Sequence, residues 1–172
     1  MNKYNEYNYA NALYEIDSSE KILNQLFAIN KAINDGEIKK FFFAKNVKKV
    51  KKKEVINVLN VDEKIKNLLK ILIDEENFNL LDKIVNNYKQ QYYLDNKIQE
   101  IVVYTAYDLS QEQMKDIKLK LEKQLECDVV INYKVDHSLI GGIKIKYNNK
   151  LIDNTILKQL EEIKKNIEEF YE

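Results

Sequence analysis

The sequence predicts a mainly α protein, with an N-terminal six-helix bundle followed by a small α+β C-terminal domain. Apolar residues recur at helical spacing through roughly the first 95 residues. From Ile98 onward, β-branched and aromatic runs alternate with two further helical stretches. With 3 glycines and no proline in 172 residues, element ends must be marked by capping residues and changes of polarity.

The first helix is expected between Tyr4 and Ile16, with Tyr9, Ala12, Leu13 and Ile16 as its stripe. Asp17-Ser18-Ser19-Glu20 breaks the pattern and offers caps for a second helix. That helix carries Ile22, Leu26, Ile29 and Ile33, flanked by Leu23 and Phe27. Asn34-Asp35-Gly36 ends it, with Gly36 suited to the left-handed C-terminal position. A short piece follows from Ile38 to Ala44, carrying Phe41, Phe42 and Phe43, and another from Val47 to Leu59. Asp62 caps a fifth helix with Ile65, Leu68, Leu69 and Leu72 on one face; a sixth presents Leu81, Ile84, Val85, Tyr88 and Tyr92.

The domain boundary falls near residues 93 to 99, giving expected domains of 1–95 and 96–172. Ile98 to Ala106 reads as a strand. Ser110-Gln111-Glu112-Gln113 is a capping box that opens a helix faced by Met114, Ile117, Leu121 and Leu125. Asp128 to Val135 and Ile143 to Tyr147 are two more strands, and Asn148-Asn149 turns the chain to Leu151-Ile152. A last helix, capped by Asp153 or Asn154, carries Ile156, Leu160, Ile163, Ile167 and Phe170 at alternating four- and three-residue spacing, the seam of a coiled coil. The rear half is thus expected to be a βαββα-like unit.

Composition narrows the function. The 28 basic residues, all lysine, balance 28 acidic ones, so no net field draws in nucleic acid or an anionic surface. Without arginine, planar bidentate clamps for phosphate or carboxylate cannot form. The abundance of Lys, Asn, Ile and Tyr fits an AT-rich genome. One cysteine, Cys127, makes no intrachain disulfide and fits a reducing compartment. The N-terminal residues lack the apolar run of a signal peptide, and Leu68 to Ile73 is far too short to span a bilayer. A soluble chain is expected.

No catalytic constellation emerges. Asp136-His137-Ser138 contains the residue types of a hydrolase triad, but adjacent positions cannot converge as a triad must, and a turn between strands is the economical reading. His137 and Cys127 are too few for a zinc site. Gly141-Gly142 lacks the Lys-Ser/Thr of a phosphate loop and opens a strand. No cofactor is expected. The run Lys48-Lys49-Val50-Lys51-Lys52-Lys53 reads as a solvated helix face; a helical adapter binding nucleic acid through it is the alternative function.

Four segments carry a family resemblance. Tyr9-Ala10-Asn11-Ala12-Leu13-Tyr14 is similar to the opening Tyr-Ala-x-Ala-Leu-Phe/Tyr of the delta subunit of bacterial F-type ATP synthases, relatives of the mitochondrial oligomycin-sensitivity-conferring protein. Asn67-Leu68-Leu69-Lys70-Ile71-Leu72-Ile73-Asp74 resembles that family's Asn-Phe-Leu-x-Leu-Leu helix, with Asn77 where an arginine is usual. Val103-Tyr104-Thr105-Ala106-Tyr107-Asp108-Leu109-Ser110 resembles its Val-Thr-Ser-Ala-x-Pro-Leu-Ser. Most specifically, Val135-Asp136-His137-Ser138-Leu139-Ile140-Gly141-Gly142-Ile143 differs from Val-Asp-Pro-Ser-Leu-Ile-Gly-Gly-Ile only at the proline.

The resemblance implies a non-catalytic stator subunit of a proton- or sodium-translocating ATP synthase, peripheral to the cytoplasmic side of the cell membrane in a low-GC bacterium. Its helical domain would grip the N-terminal helices of the alpha subunits, and its C-terminal domain the C-terminal helices of the b subunits. Tyr9, Ala10, Leu13, Leu68, Leu69, Leu72 and Ile73 match the family's alpha-facing region, with core packing equally open for each. Leu139, Ile140, Gly141, Gly142, Ile156, Leu160, Ile163, Ile167 and Phe170 are candidates for the b-subunit contact or for structural packing.

Overall fold

The computed structural model describes residues 5–148 and 150–169, the side chains of 166–169 excepted. The protein is mainly helical, with a small mixed four-stranded sheet. The chain divides into two compact units, residues 1–92 and 93–172.

In the first unit, the helices are α1 (Glu6–Ile16), α2 (Glu20–Ile33), α3 (Gly36–Phe43), α4 (Lys49–Val58) and α5 (Glu63–Asp74). A 3-10 turn (Phe78–Leu80) then leads into α6 (Leu81–Asp95), whose last residues pass into the second unit. Helix α5 is the hub, packing against α1, α4 and the 3-10 turn. Its Asp62 carboxylate accepts the Lys64 N–H, as the sequence implies, and Ile65, Leu68, Leu69, Leu72 and Ile73 are all buried. Helix α2 buries Ile22, Leu23, Leu26, Ile29 and Ile33.

Two local expectations fail. Helix α1 buries Tyr9, Ala10 and Leu13, whereas Ala12 is exposed and Ile16 is 64% exposed. The helix is rotated because it also faces α6: Tyr14 meets the Tyr88 ring edge-on at 5.1 Å, and Glu6 pairs with Lys83 at 3.3 Å. Gly36 does not end α2 in a left-handed conformation. It begins α3, donating its N–H to the Asp35 carboxylate at 2.8 Å. The two helices are close enough in sequence that Asp35, a good N-cap, claims the position.

The second unit contains β1 (Ile98–Thr105), α7 (Gln111–Leu125), β2 (Asp128–Val135), β3 (Gly142–Tyr147), β4 (Lys150–Thr155) and α8 (Ile156–Glu169). The sheet order is β2-β1-β3-β4, with β1 parallel to β2 and antiparallel to β3. The Ser110–Gln113 capping box is present and starts α7. Leu121 of α7 joins Ile101, Val103, Val129 and Ile145 in one core on that face of the sheet.

The unit is therefore βαβββα rather than βαββα. Leu151 and Ile152 lie within a fourth strand, and the last helix is capped by Thr155, not by Asp153 or Asn154. Strand β4 stays paired with β3 through Gly142↔Thr155, which holds the backbone extended past both expected caps. Asp153 instead braces the junction, its carboxylate accepting the Thr155 N–H and hydroxyl at 3.1 and 2.6 Å, while Thr155 Oγ1 accepts the Lys158 N–H at 3.3 Å.

Gly142 is required by that pairing. It has φ +83°, and a Cβ there would overlap the Asn154 carbonyl and stand 2.8 Å from Thr155 Cα. With so few glycines, non-glycine residues occupy other left-handed positions, among them Glu126, the C-cap of α7 at φ 54°. Gly142→Ala is expected to destabilise the protein by at least about 2 kcal/mol, and Glu126→Gly to stabilise it by about 1 kcal/mol. Urea unfolding of both variants reads the two signs.

Candidate partner-binding surfaces

The joint between α1 and α2 holds one wall of an apolar concavity in the helical unit. Asp17 ends α1, its N–H bonding back to the Leu13 carbonyl. Its own carbonyl accepts the Tyr88 hydroxyl of α6 at 2.7 Å, and its carboxylate accepts the Lys64 ammonium of α5 at 2.6 Å. The Lys64 hydrogen bond, followed by those from Ser19, lowers the Asp17 pKa to about 2. Burial pushes the Tyr88 phenol well above its ordinary value. At the other end of α1, the Asn77 amide donates to the Tyr9 hydroxyl at 3.2 Å in a buried contact. Helix α1 is thereby tethered at both ends to the scaffold beneath it.

Between α1 and α5 lies an open, largely apolar groove of about 730 Å³. Tyr9, Leu13 and Leu68 line it together with Ala12, Ile16, Asn67 and Ile71. Ile16 and Ile71, 64% and 48% exposed, supply its unburied apolar surface. Of the residues expected to face a partner, Ala10, Leu69, Leu72 and Ile73 do not line this groove and are buried in the core. Ala12 and Ile16 do line it but are assigned by periodicity alone to the core stripe; Ile71 stands off the α5 stripe and carries no periodic signal. A smaller apolar groove of about 360 Å³, with Ile33, Ile38, Phe41 and Val55 in its walls, opens beside α2, α3 and α4.

In the second unit, α8 packs on β4 but leaves Ile156, Leu160 and Ile163 exposed at 42, 53 and 54%. The Ile167 side chain and Phe170 lie outside the described residues. Ile140 is also exposed, whereas Leu139 is buried. Gly141 faces the Ile156 side chain at 2.8 Å from a Cβ position, so it and Gly142 serve packing and turn geometry.

The lysine run is not simply a solvated face. Lys52 donates to the carbonyls of Phe42 and Ala44 at 2.7 and 2.8 Å, closing the C-terminal end of α3. Lys49 pairs with Glu76 at 2.8 Å and Lys53 with Asp74 at 2.6 Å, tying α4 to the end of α5. Lys48 and Lys51 are exposed. At the former triad candidate, Asp136 accepts both the N–H and the hydroxyl of Ser138, at 3.0 and 2.6 Å, and Ser138 holds the Asp136 carboxyl below its usual range. His137 is exposed on the same turn and Cys127 is half-buried. No helix among the described residues is long and apolar enough to cross a membrane.

Exposed apolar relief on α1, α5 and α8 is the feature these surfaces share. The family model described as ATP synthase delta (OSCP) subunit matches residues 6–167. The chain is 34% identical over 167 residues to the ATP synthase subunit delta of Rickettsia prowazekii (strain Madrid E), covering 92% of this chain and 91% of that one. It is 27% identical over 170 residues to the corresponding subunit of Clostridioides difficile (strain 630), with 94% of each covered. Its fold resembles a chain of the Toxoplasma gondii mitochondrial ATP synthase hexamer, with a TM-score of 0.68, 15% identity, and 94% and 96% coverage. The chain belongs to the ATP synthase delta (OSCP) subunit family. It is a non-catalytic stator component of an F-type ATP synthase.

Lys52→Met is expected to cost about 1.5 kcal/mol by stripping two backbone carbonyls of a charged donor, whereas Lys51→Met stays within about 0.5 kcal/mol of the parent. Chemical unfolding distinguishes them. The Asp17 contribution to stability is fully present above the unfolded carboxyl pKa of about 3.9 and is lost as pH falls through the folded value of about 2. The gap in unfolding midpoint between the parent and Asp17→Asn should therefore close between about pH 4 and pH 2.

Proposed function

We propose that the helical half, residues 1–95 acting as a six-helix bundle, seats N-terminal helices of alpha subunits at the catalytic head. In the same reading, residues 96–172 hold C-terminal helices of the peripheral-stalk b subunits. The α1–α5 groove carries the reading. It is open and largely apolar, and its rim isoleucines Ile16 and Ile71 are exposed, as suits the apolar face of an amphipathic helix. Tyr9, Leu13 and Leu68 form the floor on which such a helix rests, with Ile16 and Ile71 making the additional contact. Ala10, Leu69, Leu72 and Ile73 are buried in the core of the same helices. The second groove beside α2, α3 and α4 favours more than one head helix.

For the stalk contact, the support is the exposed face of α8. Ile156, Leu160 and Ile163 repeat at coiled-coil spacing, and helices of a stalk are suitable partners for such a seam. Ile140 extends this apolar surface, while Leu139, Gly141 and Gly142 set the turn beneath it. A stator bears torque without making or breaking bonds, so large apolar contacts suit its task. An all-lysine basic set with abundant Asn and Ile supports a low-GC bacterial host, and membership of the delta (OSCP) family supports a peripheral position on the cytoplasmic face of its membrane.

Recovery of partners on a tagged full-length chain from detergent-solubilised membranes tests this assignment. Ile71→Asp and Ile16→Asp are expected to weaken alpha-subunit recovery by about 10-fold or more while b subunits stay bound. Leu160→Asp with Ile163→Asp should give the converse. Loss of neither partner would contradict the assignment of these surfaces, and circular dichroism of each variant should match the parent because all four side chains are exposed.

A further inference from the structure

The open edge of the sheet carries an inference beyond the head and stalk helices. Strand β2 lies at the end of the sheet and, among the described residues, pairs only with β1. The Asp136 N–H donates to the Thr105 carbonyl of β1 at 2.8 Å, so even-numbered positions of β2 turn their backbone groups inward. Odd-numbered positions turn theirs away, as Val129 shows by donating its N–H to the Glu122 carboxylate of α7 at 3.4 Å. Glu122 thus satisfies the first outward donor, and Ile131, Tyr133 and Val135 continue the row of outward N–H and C=O groups.

Natural sheets blunt such an edge with proline, a bulge or charge. The β1–β2 register runs unbroken from Ile98↔Asp128 to Thr105↔Val135, without a bulge. The odd positions Val129, Ile131, Tyr133 and Val135 carry no charge and no proline. Beside them an apolar cleft of about 400 Å³ runs between β2 and α7, walled by Met114 and Ile117 opposite Val129 and Ile131. Outward backbone groups that repeat at every second residue are matched by an extended backbone, not by a helix.

We infer that the free edge of β2 takes an extended segment of another subunit of the assembly as a fifth strand, with apolar side chains at alternate positions entering the cleft beneath α7. This rests on the chain's place in a multi-subunit complex, but not on which subunits fill the α1–α5 groove or cover α8.

Residue-resolved hydrogen exchange on the full chain, free and within the purified ATP synthase, tests it. Amides of Ile131, Tyr133 and Val135 are expected to exchange at least about 10-fold more slowly in the complex. Those of Val130, Asn132 and Lys134, already bonded to β1, should change little. That alternation is the signature of strand addition. Unchanged odd-numbered amides in an intact complex would overturn the inference while leaving the stator assignment standing. Equal slowing of odd and even amides would also overturn it, as general shielding. Protection of the free chain that rises with its concentration would assign the edge to a second copy instead. Ile131→Pro removes one outward N–H and no β1 bond; with the parent's folding retained, it should abolish the alternating protection, and persistence of that pattern would count against strand addition.

Discussion

The helical unit depends on how the chain is held where α1 gives way to α2. Asp17 is gripped there through two different groups, its carbonyl by Tyr88 and its carboxylate by Lys64. These bonds connect α1 to α6 and α5, elements more than 40 residues away in sequence. A groove between two helices retains its shape only if neither can roll. The Asp17 contacts and the Asn77–Tyr9 hydrogen bond stop α1 from rolling at either end. The buried stripe of α5 then fixes the opposite wall. Packing of apolar faces supplies most of the cohesion, but these few polar contacts select one rotation of α1, the rotation that leaves Ile16 and Ala12 facing outward.

The second unit solves a similar problem with backbone geometry. Gly142 allows β3 to run against β4 closely enough that pairing continues to Thr155. The chain must then turn directly into α8, and Asp153 and Thr155 share the unpaired groups at that corner. Helix α8 therefore starts from a fixed point while much of its apolar face stays uncovered. In both units, tight local bonding serves to present apolar surface. Helix α1 is held near both ends and α8 at its start.

Much of this was legible in the sequence. Periodicity located the helices because a buried stripe recurs regardless of its neighbours, and the Ser110–Gln113 capping box marked α7 by local chemistry alone. The order of four motifs pointed to the family. What escaped was set by contacts distant in sequence. Ile16 and Ala12 fit the helical stripe of α1, yet the pull of α6 through Tyr14 and Tyr88 rotates them outward. Ile71 breaks the stripe of α5, so periodicity ignores a residue that lines the groove and is half exposed. Gly36 resembled a helix end until Asp35 proved the stronger local signal. Leu151 and Ile152 joined a strand because β3 was there to pair with them, and a pairing partner cannot be read from six residues. The lysine run looked solvated because the carbonyls it satisfies belong to α3 and α5.

A density map of the assembled enzyme at side-chain resolution shows what occupies these apolar surfaces. A head-subunit helix is expected in the α1–α5 groove against Ile16 and Ile71, with stalk helices covering Leu160 and Ile163. A map in which that groove holds only solvent while the chain is bound elsewhere would contradict that expectation.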